Sequence, residues 1–296
     1  MSTHNVLVIG ATGKVGSEVI NQLSTQENIN VFAGLRSMAR AEEFKSKGVT
    51  PVALDLDDAD TIPGAVEGID SLLLLTGYTV DMMKQSKRVI DAAKTAGVKH
   101  IVHIGASGND TTEVSHWGWH KMIEAYIEQQ GFDYTHLQPE AFMQNITAFG
   151  WLNPNGLVNL LKEAVWSWVD ATDVGAIASA ALARPEEFKN QVWRLGYDTG
   201  SIQHVADTLS KELALNLTTL PLDPNDFYAG VISQGADAAY MACIRDQFLL
   251  NGEGKIINAD ATFDKEAFKQ ATGRYPTTWT QFIEREKESL LRAVAQ

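Results

Sequence analysis

The sequence predicts an α/β protein, in which a doubly wound parallel sheet is followed by a smaller, mainly helical part. Three observations carry this expectation. The first 138 residues alternate short apolar runs with amphipathic stretches. The apolar runs are bounded by Gly, Asp or Asn and are continuous, as in strands covered by helices on both faces. From Ser201 onward the pattern becomes helical.

The elements follow in order. A first strand over Val6–Ile9 leads into a glycine-rich turn and a helix over Val15–Ser24. The next strand is expected at Val31–Gly34, then a helix over Met38–Ser46. Strand Thr50–Ala53 precedes helix Ile62–Val66, and strand Ser71–Leu75 precedes helix Val80–Ala96. Gly97 fits a helix C-cap, which hands the chain to strand His100–Ile104. Helix His116–Gln130 and strand Tyr134–Gln138 close the alternation at Pro139. An irregular stretch comes next. Trp166–Val169 and Trp193–Leu195 read as late strands, and Thr172–Leu182 as a helix returning to the sheet. Helices over Ser201–Leu213, Asp226–Gln234, Ala236–Leu250, Asp264–Thr272 and Thr278–Ala293 complete the chain. The expected first domain is 1–138, with 166–183 and about 193–213 returning to it. The expected cap or substrate domain combines 139–165 and 214–296.

Composition narrows the function classes. The chain has 296 residues, 45% of them hydrophobic, enough for a large core. Its 24 Lys+Arg against 37 Asp+Glu give a formal charge of −13. No run supplies the basic face that duplex DNA recognition needs. No apolar run approaches the ~18 residues of a membrane span. The N-terminus enters a strand-like run at once, with no basic segment or secretory cleavage pattern. The lone Cys243 excludes an internal disulfide and a cysteine-rich zinc site. These features lead to the expectation of a soluble, cytoplasmic protein that binds a small molecule, with neither nucleic acid nor membrane as partner.

The strongest local signal is Gly10-Ala11-Thr12-Gly13-Lys14-Val15-Gly16, a G-x-x-G-x-x-G turn between a strand and a helix. Gly10 permits the tight turn, Gly13 lets a pyrophosphate approach the backbone, and Gly16 lets the helix pack on the sheet. The free N–H groups and dipole of the helix N-terminus favour an anion. This is a Rossmann-like dinucleotide-binding pattern. An NAD site wants an acid at the end of the second strand, for the ribose 2′-hydroxyl. Here that strand ends Ala33-Gly34-Leu35-Arg36-Ser37, and a guanidinium suits a 2′-phosphate. The expected cofactor is therefore NADP(H) in preference to NAD(H), with Ser37, Lys14 or Arg40 adding donors or charge. Asp55 and Leu56 follow the third strand and are candidates for the adenine edge and face, or a plain strand-end turn. Thr76 and Gly77 close the fourth strand, where a small pair lets a ribose or nicotinamide pass.

These residues resemble the NmrA-like group of atypical short-chain dehydrogenases/reductases. The resemblance extends over nearly the whole chain. It rests on the glycine turn with Arg36, on His116 through Glu124, and on Tyr134-Thr135-His136-Leu137-Gln138-Pro139. It continues through Phe142-Met143-Gln144-Asn145, Val169-Asp170-Ala171-Thr172-Asp173-Val174-Gly175 and Thr272-Gly273-Arg274-Tyr275-Pro276-Thr277-Thr278. The group holds quinone and triphenylmethane reductases, isoflavone-reductase-like enzymes and NADP(H)-sensing regulators.

A typical short-chain reductase carries Tyr-x-x-x-Lys on one helix face. The equivalent window here is Trp117-Gly118-Trp119-His120-Lys121. The lysine stands, and tryptophan replaces the tyrosine; an indole N–H is no proton donor for ketone chemistry. The resemblance implies that Lys121 holds the nicotinamide ribose and that His116 donates a proton or hydrogen-bonds a substrate. His116 and His120 are equally explained as residues of a surface helix. His116, His120 and Glu124 recur every four residues, but the lack of a His-Glu-x-x-His pattern argues against a metal there, and none is expected. His120, Phe142, Asn145, Trp151 and Tyr228 are candidates for the substrate pocket, alongside Met143, Trp166 and Phe227. Core packing explains any one of the aromatics as well. Asp170 and Asp173, just before an Ala-rich helix, fit N-capping better than acid/base work.

Two functional expectations result. One is an NADPH-dependent reductase passing hydride to a conjugated acceptor such as a quinone, azo or triphenylmethane dye, enone or imine. The other is a non-catalytic NADP(H)-binding redox sensor acting through a protein partner. Homodimer formation is left open by the sequence.

Overall fold

The computed structural model describes residues 3–256 and 263–295. Strands β1 (His4–Val8), β2 (Ile29–Leu35), β3 (Thr50–Ala53), β4 (Ser71–Leu74), β5 (His100–Ile104) and β6 (Asp133–Pro139) alternate with helices. These are α1 (Lys14–Leu23), α2 (Ala41–Lys45), α3 (Ile62–Val66), α4 (Met82–Ala96) and α5 (Ser115–Gln129). The later strands are β7 (Ala141–Phe142), β8 (Leu152–Asn153), β9 (Gly156–Asn159), β10 (Trp166–Val169), β11 (Gln191–Leu195), β12 (Asp198–Gly200) and β13 (Thr219–Pro221). The later helices are α6 (Asn145–Ala148), α7 (Ala171–Ala183), α8 (Pro185–Phe188), α9 (Ile202–Leu213), α10 (Pro224–Ser233), α11 (Ala238–Gly252), α12 (Lys265–Thr272) and α13 (Trp279–Ala295).

The chain divides into two compact units. The first comprises Met1–Ala106, Trp119–Gln138 and Thr172–Trp193, and the second Ser107–Gly118, Pro139–Ala171 and Arg194–Gln296. The main sheet runs β11-β6-β5-β4-β1-β2-β3. Every pairing from β3 across to β6 is parallel. The order 3-2-1-4-5-6 within it is that of the doubly wound dinucleotide-binding sheet, with a switch point beside β1. Central strands β4 and β5 are buried at every position, which is why they read as continuous apolar runs. Gly97, at φ 82°, caps α4 in the left-handed conformation, as the sequence predicts.

The second unit has its own core. Trp168, Ile202, Val205, Leu209, Trp279, Phe282 and Leu290 are each 1% exposed or less. The Trp168 and Trp279 rings meet edge to face at 5.3 Å, and the Trp168 indole N–H donates to the Gly200 carbonyl at 3.0 Å. Two small sheets, β12-β10-β7 and β13-β9-β8, line this core. The stretch expected to be irregular thus holds the antiparallel pair β8–β9, with Leu152 opposite Leu157. Trp166–Val169 pairs with β7 and β12 and not with the main sheet. A four-residue apolar run does not encode which sheet it joins; its partner strands do. Among the described residues no helix is long and apolar enough to cross a membrane.

Candidate functional site

The glycine turn builds the entrance to α1. Gly10 sits at φ 74°, and the Gly13 N–H donates to the Gly10 carbonyl at 2.9 Å. Gly13 occupies the N-cap of α1 with extended backbone (φ −81°, ψ 171°) and no side chain to occupy the helix N-terminus. Gly16 faces the turn itself. A Cβ there would lie 2.2 Å from the Gly10 carbonyl oxygen and 2.7 Å from its carbon. Gly16 therefore closes the helix on the strand, and Gly13 leaves the helix end open to an anion.

A cleft of about 880 Å³ lies within the first unit at the C-terminal ends of β1–β4. Gly10, Thr12, Gly13, Arg36, Asp55, Leu56, Thr76 and Gly77 line it, as do Ser37 and Arg40. The other sequence candidates are not in its wall: Lys14 is exposed, Val15 is a buried residue of α1, Gly16 is packed on the turn, and Lys121 lies on α5. Arg36 is exposed and has no hydrogen-bond or ion-pair partner among the described residues. Arg40 is committed, since it forks onto the Glu43 carboxylate at 2.9 and 3.0 Å. The Ser37 hydroxyl accepts from Ala39 N–H at 3.4 Å. Asp55 turns the chain after β3, and its carboxylate accepts from Asp57 N–H at 3.0 Å. The cleft thus combines an open helix N-terminus, a free guanidinium and an apolar edge at Leu54 and Leu56. This donor set fits a dinucleotide that bears phosphate at both places.

Helix α5 carries the remaining candidates, and its residues divide between the units. In the second unit, His116 is 6% exposed, with its ring 5.7 Å from that of Tyr240 and 6.1 Å from that of Trp117. Burial lowers the His116 pKa to about 4. At pH 7 this imidazole is therefore neutral. Trp117 is 6% exposed and packs behind Gly108.

In the first unit, Lys121 Nζ lies 3.0 Å from Glu124 Oε2. The Glu124 carboxylate is buried and accepts from Gln138 Nε2 at 2.9 and 3.0 Å. Burial raises its pKa, against the Gln138 hydrogen bond and the Lys121 charge. His120 Nδ1 is 3.3 Å from Nε2 of His103 on β5, and one of the two donates. His103 was missed in the sequence, as was His136, its register partner on β6. Burial lowers the pKa of both, that of His136 to about 3. Histidine inside an apolar strand was the available signal.

The pocket candidates lie in the second unit, apart from His120. Phe142 and Asn145 are half-buried, at the end of β7 and the start of α6. Tyr228 is half-buried, with the Arg245 guanidinium 5.1 Å from its ring centre. Trp151 is 4% exposed and meets Phe248 edge to face at 5.9 Å, so it is a core residue. Asp170 directly precedes α7 and is fully buried, held by Gln144 Nε2 at 2.9 Å and Arg285 at 2.6 Å. Its carboxylate is spent on this network. Glu140, not singled out in the sequence, is pushed up to about 7 by burial, although its carboxylate accepts from Ser167 N–H at 2.9 Å.

Known proteins are similar to this chain. The chain is 34% identical over 185 residues to an NAD(P)H azoreductase of Xenophilus azovorans, covering 61% of this chain and 64% of that protein. It is 27% identical over 276 residues to quinone oxidoreductase 2 of Escherichia coli, covering 88% and 92% of the two chains. The crystal structure of the Citrobacter sp. triphenylmethane reductase complexed with NADP(H) superposes with a TM-score of 0.80 at 19% identity. That superposition covers 95% of this chain and 99% of the reductase, and shows a shared fold. The NmrA-like family model matches residues 2–283, and with the parallel sheet and glycine turn just described, the chain belongs to the NmrA-like family.

Proposed function

We propose that the protein is an NADPH-dependent oxidoreductase that delivers hydride to a conjugated acceptor of the quinone, azo or triphenylmethane type, or to an enone or imine. The observation that carries the reading is the cleft. It pairs the open N-terminus of α1 with the unpartnered Arg36, and no acid stands at the end of β2. When bound, a nicotinamide dinucleotide supplies the hydride. The N–H groups of the first turn of α1, from Lys14 onward, would receive the pyrophosphate past Gly13, Arg36 would take the 2′-phosphate, and Leu56 would lie against the adenine. Lys121, steadied by Glu124, holds the nicotinamide ribose. The acceptor class follows from Trp117 and the neutral His116. Neither is an acid at pH 7, which favours acceptors whose reduced form is a stabilised anion that takes its proton from water. The azo and quinone reductases among the relatives support this class. Oxidoreductase members of the family act on small molecules, and the cytoplasm is the compartment proposed.

The same missing acid favours a second reading, a redox sensor that binds NADP(H) and signals to a protein partner. One experiment separates them. NADPH oxidation is followed by absorbance against quinones, azo and triphenylmethane dyes, enones and imines, with Lys121→Ala as control. Turnover lost in a folded Lys121→Ala supports the reductase. Tight NADPH binding with no acceptor reduced overturns it in favour of the sensor.

A further inference from the structure

Three side chains of the first unit converge where neither the glycine turn nor the cleft reaches. His103 on β5 and His136 on β6 are register partners on adjacent parallel strands, so their side chains leave the same face of the sheet. The connecting helix α5 lays Glu124 against that face. One ligand atom from each of the three lies within 4.8 Å of the others, and each residue is 3% exposed or less.

The hydrogen bonding around them is incomplete. His103 Nδ1 and His136 Nδ1 are buried and make no hydrogen bond, whereas His136 Nε2 makes none but lies 3.4 Å from Glu128 Oε1. Native interiors rarely leave such atoms unpaired. His103 Nε2 is engaged with His120 Nδ1 at 3.3 Å. If Nε2 carries the proton, Nδ1 presents a lone pair. This is the arrangement in which an outer partner fixes the tautomer of a metal-ligating histidine. Gln138 orients the Glu124 carboxylate by donating to both of its oxygens. Gly105 keeps the space open: a Cβ there would sit 3.0 Å from Glu124 Oε1 and 3.6 Å from His103 Nδ1.

We propose that His103, Glu124 and His136 form a binding site for a zinc-class divalent cation, separate from the dinucleotide cleft. Two neutral imidazoles and one carboxylate are a donor set suited to zinc, with a fourth position left for water. Tetrahedral bonds of about 2.0–2.1 Å would bring the ligand atoms to roughly 3.4 Å apart. Binding therefore draws the three inward from separations of up to 4.8 Å. Lys121 Nζ, now on Glu124 Oε2, competes with the cation for the carboxylate. Glu124 finds its partners on two strands 33 residues apart in sequence.

The test uses the full chain, stripped with a chelator and titrated with zinc against a chromophoric competitor. Cobalt(II) is added in parallel, and its visible ligand-field absorption is recorded. The expected result is one equivalent of zinc, a tetrahedral or five-coordinate cobalt spectrum, and a raised melting temperature with zinc. His136→Gln and Glu124→Gln should each weaken zinc at least ~10-fold. His204→Ala, on α9, should leave the affinity unchanged. If a site variant fails to fold, the cobalt spectrum of the unaltered chain decides. A spectrum of hydrated cobalt only, or zinc affinity equal in His136→Gln and the unaltered chain, overturns the proposal. So does a crystal structure from zinc-containing solution that shows only water beside Glu124.

Discussion

Replacing Gly16 with alanine should damage the fold, whereas replacing Gly13 with valine should damage only binding. At Gly16 an added Cβ meets three backbone atoms of the turn, the nearest 2.2 Å away and the others at 2.7 and 3.0 Å. A carbon–oxygen contact relaxes at about 3.3 Å, so the helix or the turn must shift by roughly 1 Å. Overpacking of this kind costs typically ~1–3 kcal/mol, and more where the obstacle is backbone. A loss of about 3 kcal/mol corresponds to a fall in melting temperature of roughly 6–12 °C in a chain of this size. At Gly13 the backbone is extended, and the nearest atom to an added Cβ is the Gly10 carbonyl oxygen at 3.3 Å. A β-branched residue is tolerated there, with stability within about 1 kcal/mol of the original. Its side chain projects where the proposed pyrophosphate would pass. The assay is a thermal melt followed by circular dichroism, with NADPH fluorescence titration on each folded variant. A Gly16→Ala melt within ~2 °C of the original would refute the division of labour. So would Gly13→Val binding NADPH normally.

Three further outcomes are expected. Arg36→Ala should reduce the preference for NADPH over NADH by about 1.5–3 kcal/mol, roughly 10- to 150-fold, in paired titrations; an unchanged ratio refutes the phosphate role. Trp168→Ala should cost ~3–5 kcal/mol in urea unfolding, because the side chain is fully buried and bonded to the Gly200 carbonyl. Acidification should destabilise the fold. His100, His116 and His136 have pKa values lowered by burial to about 4, 4 and 3, so the unfolded chain binds their protons first. Their contribution is intact above pH ~6.5 and drains away toward pH 4, by up to ~1.4 kcal/mol per pH unit for each histidine. Glu140, raised to about 7, acts in the opposite sense and offsets one of them between pH ~4.5 and 7. Melts between pH 7.5 and 5 should therefore show a falling midpoint, and a flat or rising one refutes the buried neutral histidines.

The main sheet was legible because its physics is local. Thr50–Ala53 and His100–Ile104 coincide with their apolar runs, and the glycine turn announces both the strand before it and the helix after it. Ile62–Val66 and Trp166–Val169 were equally plain as elements. The destination of Trp166–Val169 was not, because strand pairing is set by β7 and β12, distant in the chain. The strands β8, β12 and β13 are two or three residues long, too short for any periodicity. At the cleft, Arg36 was readable from its place after a strand, and the commitment of Arg40 to Glu43 was not. The low pKa of His116 was invisible too, because desolvation is a property of Trp117 and Tyr240 folded around it.

The interleaving of the two units constrains how the chain is made. Each unit is assembled from three separate segments, so the polypeptide passes from one to the other five times, the last time after Trp193. Neither unit exists as a contiguous stretch that recombination could cut out and graft elsewhere. On the ribosome the first unit cannot be completed until Thr172–Trp193 has emerged, and the second must wait for α13. Synthesis at ~5–20 residues per second leaves the partial sheet without its β11 edge for the several seconds needed to translate from β6 to β11. During that interval the exposed edge of β6 is a pairing surface for other nascent chains, and a truncation before residue 191 should make that exposure permanent.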